Sequence, residues 1–111
     1  IRTVAVAFEG VASGAADGFA RIAGKPAATL LHLAPGYLNA AANFHNARRA
    51  FSPIVSIIGD HAHAHRRFDT PLTADIEAIV RPQSVWTRTV SRAEDAAAAG
   101  AEAVRESVSR G

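Results

Sequence analysis

Thr3-Val4-Ala5-Val6-Ala7-Phe8-Glu9-Gly10-Val11-Ala12-Ser13-Gly14-Ala15-Ala16-Asp17-Gly18-Phe19-Ala20-Arg21 contains the change of periodicity on which the fold turns. Residues 4–8 are a nearly continuous apolar run, the pattern of a strand buried on both faces. The run stops at Glu9. From Gly10 to Ala23 the apolar positions Val11, Ala15, Phe19 and Ile22 recur at spacings of three and four, which is one face of a helix, and Gly24-Lys25-Pro26 closes it. Gly10, Gly14 and Gly18 weaken the helix but lie four apart, where they would allow another backbone to come close. Glu9 thus sits between a buried strand and a helix, where an unpartnered carboxylate is costly. Spacing alone supports two readings of it equally: a helix-start carboxylate favoured by the macrodipole, or a functional group.

The same alternation continues outward. Residues 27–32 read as a second buried strand, and Pro35-Gly36 as a turn leading to a helix over residues 37–51. Pro53 precedes a third strand at residues 54–58 that ends at Gly59-Asp60. The His- and Arg-rich residues 61–72 read as a loop. Thr73 is placed to cap a short helix through Val80, with Asp75 and Glu77 in its first turns. Residues 84–88 read as a fourth strand. Ser91 and Glu94 have the spacing of a capping box for a last helix over residues 92–108. Strands alternating with helices across short connections imply an α/β fold, an open three-layer α/β/α sandwich with a mainly parallel sheet. Ligands in such sheets bind beyond the carboxyl ends of the strands, which brings forward Glu9, His32 with Pro35-Gly36, and residues 59–65.

Composition narrows the functional classes. The chain has 111 residues, enough for one domain with a core, and 49% hydrophobic and 20% charged residues argue against disorder. A net charge of +2 with dispersed arginines gives no nucleic-acid footprint, despite a pI near 9.9. With no cysteine there is neither a disulfide framework nor a thiolate metal site. The apolar runs are of strand length, so neither a signal peptide nor a membrane span is expected, and a cytoplasmic location fits. The chain opens directly in an apolar run without methionine, which reads as a fragment.

Individual polar residues have bland readings as well. A lone histidine after a strand, such as His32, is first a structural residue bonded to backbone. His61, His63 and His65 alternate and in an extended backbone would share a side as a metal constellation; a polar loop near the site is the preferred reading. Asp17 and Arg21 are spaced for a helical ion pair, and Asn46 and Arg48 for packing or subunit contact.

Glu9 followed eight residues later by Ala16-Asp17-Gly18-Phe19-Ala20-Arg21 resembles the signature of the pyrimidine-binding, N-terminal domain of thiamine diphosphate enzymes, with Phe19 in place of the frequent Tyr. Gly24-Lys25-Pro26-Ala27, Leu31-His32-Leu33-Ala34-Pro35-Gly36 with Asn39, and Ser52-Pro53-Ile54-Val55 leading to Ile58-Gly59-Asp60-His61 extend the resemblance in order to at least Trp86. It is similar above all to the acetolactate synthase large subunit, and then to benzoylformate decarboxylase. The resemblance implies a thiamine diphosphate-binding fold truncated at its N-terminus, residues 1–111 being a partial pyrimidine-binding domain, since members carry another strand and helix before the segment at Thr3.

It further implies that Glu9 bonds N1′ of the cofactor aminopyrimidine and activates it, and that Pro35, Gly36 and Asn39 line the cofactor. His32 corresponds to a substrate-facing histidine of benzoylformate decarboxylase-like sequences, where it would transfer protons. Asp60 and His61 would line the substrate, in place of the Gly-Gln frequent in acetolactate synthase-like members. Mg2+ and the diphosphate would be held by a separate domain bearing Gly-Asp-Gly and a downstream Asn, absent from these residues, so no metal ligand is assigned here. The implied partners are a 2-oxo acid substrate and further subunits of a homo-oligomer, dimer or tetramer, with the site at the subunit interface. The chain by itself is then expected to be inactive. The implied activity is 2-oxo acid carboligation or decarboxylation of the acetolactate synthase type. A benzoylformate decarboxylase-like lyase is the enzyme alternative, and a noncatalytic α/β assembly module is the alternative of a different class.

Overall fold

In a computed structural model, residues 1–109 are described, and they form an α/β unit built on two parallel strands. Helix α1 runs over Glu9–Ala23, strand β1 over Ala27–Leu31, helix α2 over Leu33–Arg49 and strand β2 over Ile54–Ile58. Helices α3 (His63–Arg66), α4 (Ile76–Val80) and α5 (Ala96–Ser109) follow, with 3-10 turns at Arg81–Gln83 and Ala93–Asp95. The β1–α2–β2 unit is a parallel crossover, in register from Ala27 opposite Ile54 to Leu31 opposite Ile58. The ladder is extended at both ends by Ala27 N donating to Pro53 O and Gly59 N donating to Leu31 O, each within 3.1 Å.

The core lies between one face of this sheet and the helices. Leu31, Tyr37, Ala40, Phe44 and Val80 are its buried centre, with Ile54, Ile58, Ile76 and Ile79 packed against them. A second cluster, Ala16, Ala20 and Ala27 with Ile54, seats α1 against the strands. Helix α1 ends where Gly24 takes a left-handed φ of 63° and its N–H closes on Ala20 O at 3.0 Å, a geometry that favours glycine.

Two of the four expected strands are present. Residues 1–6 have no regular structure, and Val4, Val6 and Phe8 are exposed, because no neighbour among the described residues supplies the ladder that makes an extended run a strand. Residues 84–88 are likewise unpaired, following the 3-10 turn at Arg81–Gln83. Burial of β1 alternates, with Ala27, Thr29 and Leu31 inside and Ala28 and Leu30 outside, so the strands are not buried on both faces. Leu30 at 77% and Ile57 at 56% exposure leave the second face of the sheet open in this chain.

Several local expectations also change. The Pro35-Gly36 turn is the first turn of α2, which begins at Leu33. Proline is tolerated there because the first N–H groups of a helix have no intrahelical partner. The reversal from strand to helix occurs one step earlier, at Leu33, whose φ of 57° is left-handed. That conformation costs a non-glycine residue about 1–2 kcal/mol, offset here by the burial of its side chain. Asp75, not Thr73, caps α4, accepting from Ala78 N at 3.0 Å, while Thr73 bonds Thr70. The Ser91 capping box does not form: Arg92 occupies the cap position of the turn before α5 and its guanidinium takes Glu94. The loop at residues 61–72 contains one helical turn, α3.

Asp17 and Arg21 do form their helical pair, bidentate at 2.8 and 2.7 Å. The hydrogen bonds from Arg21 hold the Asp17 carboxyl below its ordinary range, partial burial opposing them. A depressed carboxyl contributes stability that is present above its unfolded pKa of about 3.9 and lost as pH falls through the folded value. Asp17→Asn is therefore expected to lower stability by a few tenths of a kcal/mol at pH 7, Arg21 being half exposed. Urea midpoints for wild type and variant should then converge near pH 2; a gap that is constant with pH would show that the pair is not its source.

Candidate active site

Glu9 opens α1, where its charge faces the positive end of the helix macrodipole. It is half-buried, and its Oε2 accepts from Asn39 Nδ2 on α2 at 3.1 Å. Its Oε1 has no hydrogen-bond partner among the described residues, and it lies against Gly36: a Cβ placed on Gly36 would stand 3.6 Å from it. Asn43, one turn after Asn39, donates through Nδ2 to Gly10 O at 2.7 Å and to Ser13 Oγ at 3.3 Å. Ser13, fully buried, donates in turn to Gly10 O at 3.2 Å. The start of α1 is thus fastened to α2 at both the side chain of Glu9 and the backbone of Gly10.

The glycines explain how the helices come this near. A Cβ on Gly10 would meet Phe8 Cε1 at 2.4 Å and Asn39 O at 3.3 Å, and one on Gly14 would meet Asn43 Nδ2 at 3.2 Å. The exposed Phe8 ring could swing aside, but the Asn39 carbonyl belongs to a helix and cannot. Gly18, the third of the series, has nothing within 4 Å and plays no part in the contact.

Of the residues singled out in the sequence, Glu9, Gly36 and Asn39 come together. Pro35 is exposed in the same first turn of α2, and His32 is exposed at the cap position of that helix, its carbonyl accepting from Gly36 N at 3.0 Å. Asp60 and His61 follow the carboxyl end of β2 and engage their own loop. Asp60 accepts from His61 N at 2.7 Å and pairs with Arg66 at 3.6 Å; the His61 ring lies against His65, centroids 4.9 Å apart. Among the described residues no hydrogen bond joins His32, Asp60 or His61 to Glu9. Residues 63–66 are helical and not extended; His61 and His65 lie together, but among the described residues no three of His, Asp and Glu are grouped to hold a metal ion.

Asn43 and Ser13 do not stand out in the sequence. The signal for Asn43 is its spacing of four from Asn39, which puts both on one face of a helix. A concavity of about 890 Å³ lies elsewhere: it runs along β2 and is lined by Tyr37, Phe44, Trp86 and Ala99, without Glu9.

Glu9, with one carboxylate oxygen held by Asn39 and the other beside Gly36, lies near the carboxyl end of β1 in an α/β domain, the region where ligands bind in folds of this kind. The family model for the thiamine pyrophosphate enzyme N-terminal TPP binding domain matches residues 1–81, and the chain belongs to that family. It is 55% identical over 103 residues, 93% of its length, to the acetolactate synthase large subunit-like protein IlvX of Mycobacterium tuberculosis. A solved X-ray structure from Mycobacterium smegmatis, described as a thiamin diphosphate-dependent enzyme, superposes with a TM-score of 0.82 at 34% identity over 88% of the chain. The chain spans 19% of the length of each of these two relatives. No helix among the described residues is long and apolar enough to cross a membrane.

Proposed function

We propose that the chain is the pyrimidine-binding part of a thiamine diphosphate-dependent enzyme that acts on 2-oxo acids in the manner of acetolactate synthase, with Glu9 as the group that activates the cofactor. The observation that carries this reading is the state of the Glu9 carboxylate: Oε2 taken by Asn39, Oε1 open beside Gly36. That arrangement fits an aminopyrimidine, whose N1′ would face Oε1 and share a proton with it. When bound, thiamine diphosphate supplies the nucleophilic thiazolium carbon that adds to the carbonyl of a 2-oxo acid. Glu9 holds the proton at N1′, and Gly36, with no side chain, leaves room for the ring, with Pro35 and Asn39 beside it. Asp60 and His61, after β2, line the substrate side.

Mg2+ and the diphosphate are assigned to a separate domain. The site is then completed by other subunits of a homo-oligomer, and the exposed Leu30 and Ile57 supply apolar surface for packing. A benzoylformate decarboxylase-like activity is the second reading, favoured by one observation: His32 is exposed at the cap position of α2, directly after β1.

The product of the complete reading frame, supplied with thiamine diphosphate and magnesium, is expected to convert pyruvate to acetolactate. Release of benzaldehyde from benzoylformate without acetolactate formation would favour the second reading. Full cofactor occupancy with no 2-oxo acid consumed would remove both.

A further inference from the structure

We propose that Asn39 and Asn43 are positioning residues that set the Glu9 carboxylate for its ligand; this rests on the reading of Glu9 given above. The two asparagines are one turn apart on α2 and hold the same short segment at different points. Asn39 takes Oε2 of the side chain, and Asn43 takes the carbonyl of the next residue, Gly10. A glutamate at a helix start has three side-chain torsions, and contact with Gly36 alone does not fix them, so without a hydrogen-bond partner its carboxylate would sample several rotamers. An amide N–H on one oxygen selects the rotamer and leaves Oε1 as the oxygen available to a ligand.

Asn43 acts through the backbone. Its short bond to Gly10 O, with Ser13 sharing that acceptor, keeps the first turn of α1 against α2, so the Cα of Glu9 cannot drift from Asn39. Both contacts cross between elements 30 and 33 residues apart in sequence, so neither is a by-product of local helix geometry. The chemistry requires a donor at position 39. Aspartate has the same shape but would set a second carboxylate against Glu9, whereas glutamine keeps the donor on a longer arm.

The test uses the product of the complete reading frame, saturated with thiamine diphosphate and magnesium, and reads deuterium exchange at cofactor C2 in Glu9→Ala, Asn39→Ala, Asn39→Asp, Asn39→Gln and Asn43→Ala. Asn39→Ala is expected to slow exchange about 10-fold at unchanged cofactor occupancy, the scale seen when a group orienting a functional side chain is lost. Asn39→Asp should be slower still, Asn39→Gln should recover part of the loss, and Asn43→Ala should fall between wild type and Asn39→Ala. A crystal structure of cofactor-free Asn39→Ala should show the Glu9 carboxylate moved or in more than one rotamer. Wild-type exchange in both Asn39→Ala and Asn39→Asp, beside a collapse in Glu9→Ala, would overturn the positioning role and leave the reading of Glu9 intact. Wild-type exchange in Glu9→Ala would overturn the reading itself.

Discussion

Glu9→Ala is expected to slow C2 proton exchange of bound thiamine diphosphate by about 100-fold or more, within the range lost when a positioned proton-sharing group is removed. Folding should change little. Glu9 makes one side-chain hydrogen bond, to Asn39, and its favourable interaction with the α1 macrodipole is worth only about 0.3–1 kcal/mol. Asn39 is exposed, so losing this acceptor returns its amide to water and leaves no buried orphan. The affinity for cofactor should fall far less than the exchange rate, because the diphosphate and metal are assigned to another domain. Glu9→Gln separates two contributions: it can still hydrogen-bond N1′ but cannot share a proton, so it should remain close to Glu9→Ala. Exchange in Glu9→Ala equal to wild type, at equal occupancy measured by calorimetry, would leave Glu9 a helix-start carboxylate and nothing more.

The second large effect is on stability. Phe44→Ala should destabilise the domain by about 3–5 kcal/mol, the range for deleting a buried aromatic ring from a packed core. Phe44 is 8% exposed and stacks on Tyr37 at a centroid distance of 5.6 Å, inside the cluster formed with Leu31, Ala40 and Val80. Its helix carries Asn39 on one side and faces the strands on the other, so a collapse around the missing ring would also shift the donor to Glu9. A drop in the urea midpoint at unchanged slope is the expected signature. A loss below about 1 kcal/mol would mean that the ring is not confined as its burial indicates.

Much of the candidate site is legible in the order of the amino acids. The run 4–8 ending in Glu9, the glycine-rich helix with Asp17 and Arg21, and the segment from His32 to Asn39 resemble one family, and that family is the one to which the chain belongs. Helix α1 and strands β1 and β2 fall where periodicity puts them, because each has apolar positions at the spacing its own geometry requires and a glycine or proline at its end. Glu9 and Asn39 are both legible as candidate site residues, but not the bond between them. Asn43 is not legible, since its partner is a backbone carbonyl in a different helix.

The sequence by itself therefore determined the fold class, the order of the βα units and the carboxylate that opens α1, all of which depend on patterns within one segment. Tertiary structure alone decided which apolar runs became strands, that α2 begins at Leu33 through a left-handed residue, that Asp75 caps α4, and that Asn39 and Asn43 meet Glu9 and Gly10. Periodicity records what a segment would bury. Whether residues 3–8 or 84–88 are strands depends on a neighbour offering its N–H and C=O groups, and whether two asparagines orient a glutamate depends on how closely two helices approach. Here Gly10 and Gly14 permit that approach, and it brings together residues 30 positions apart.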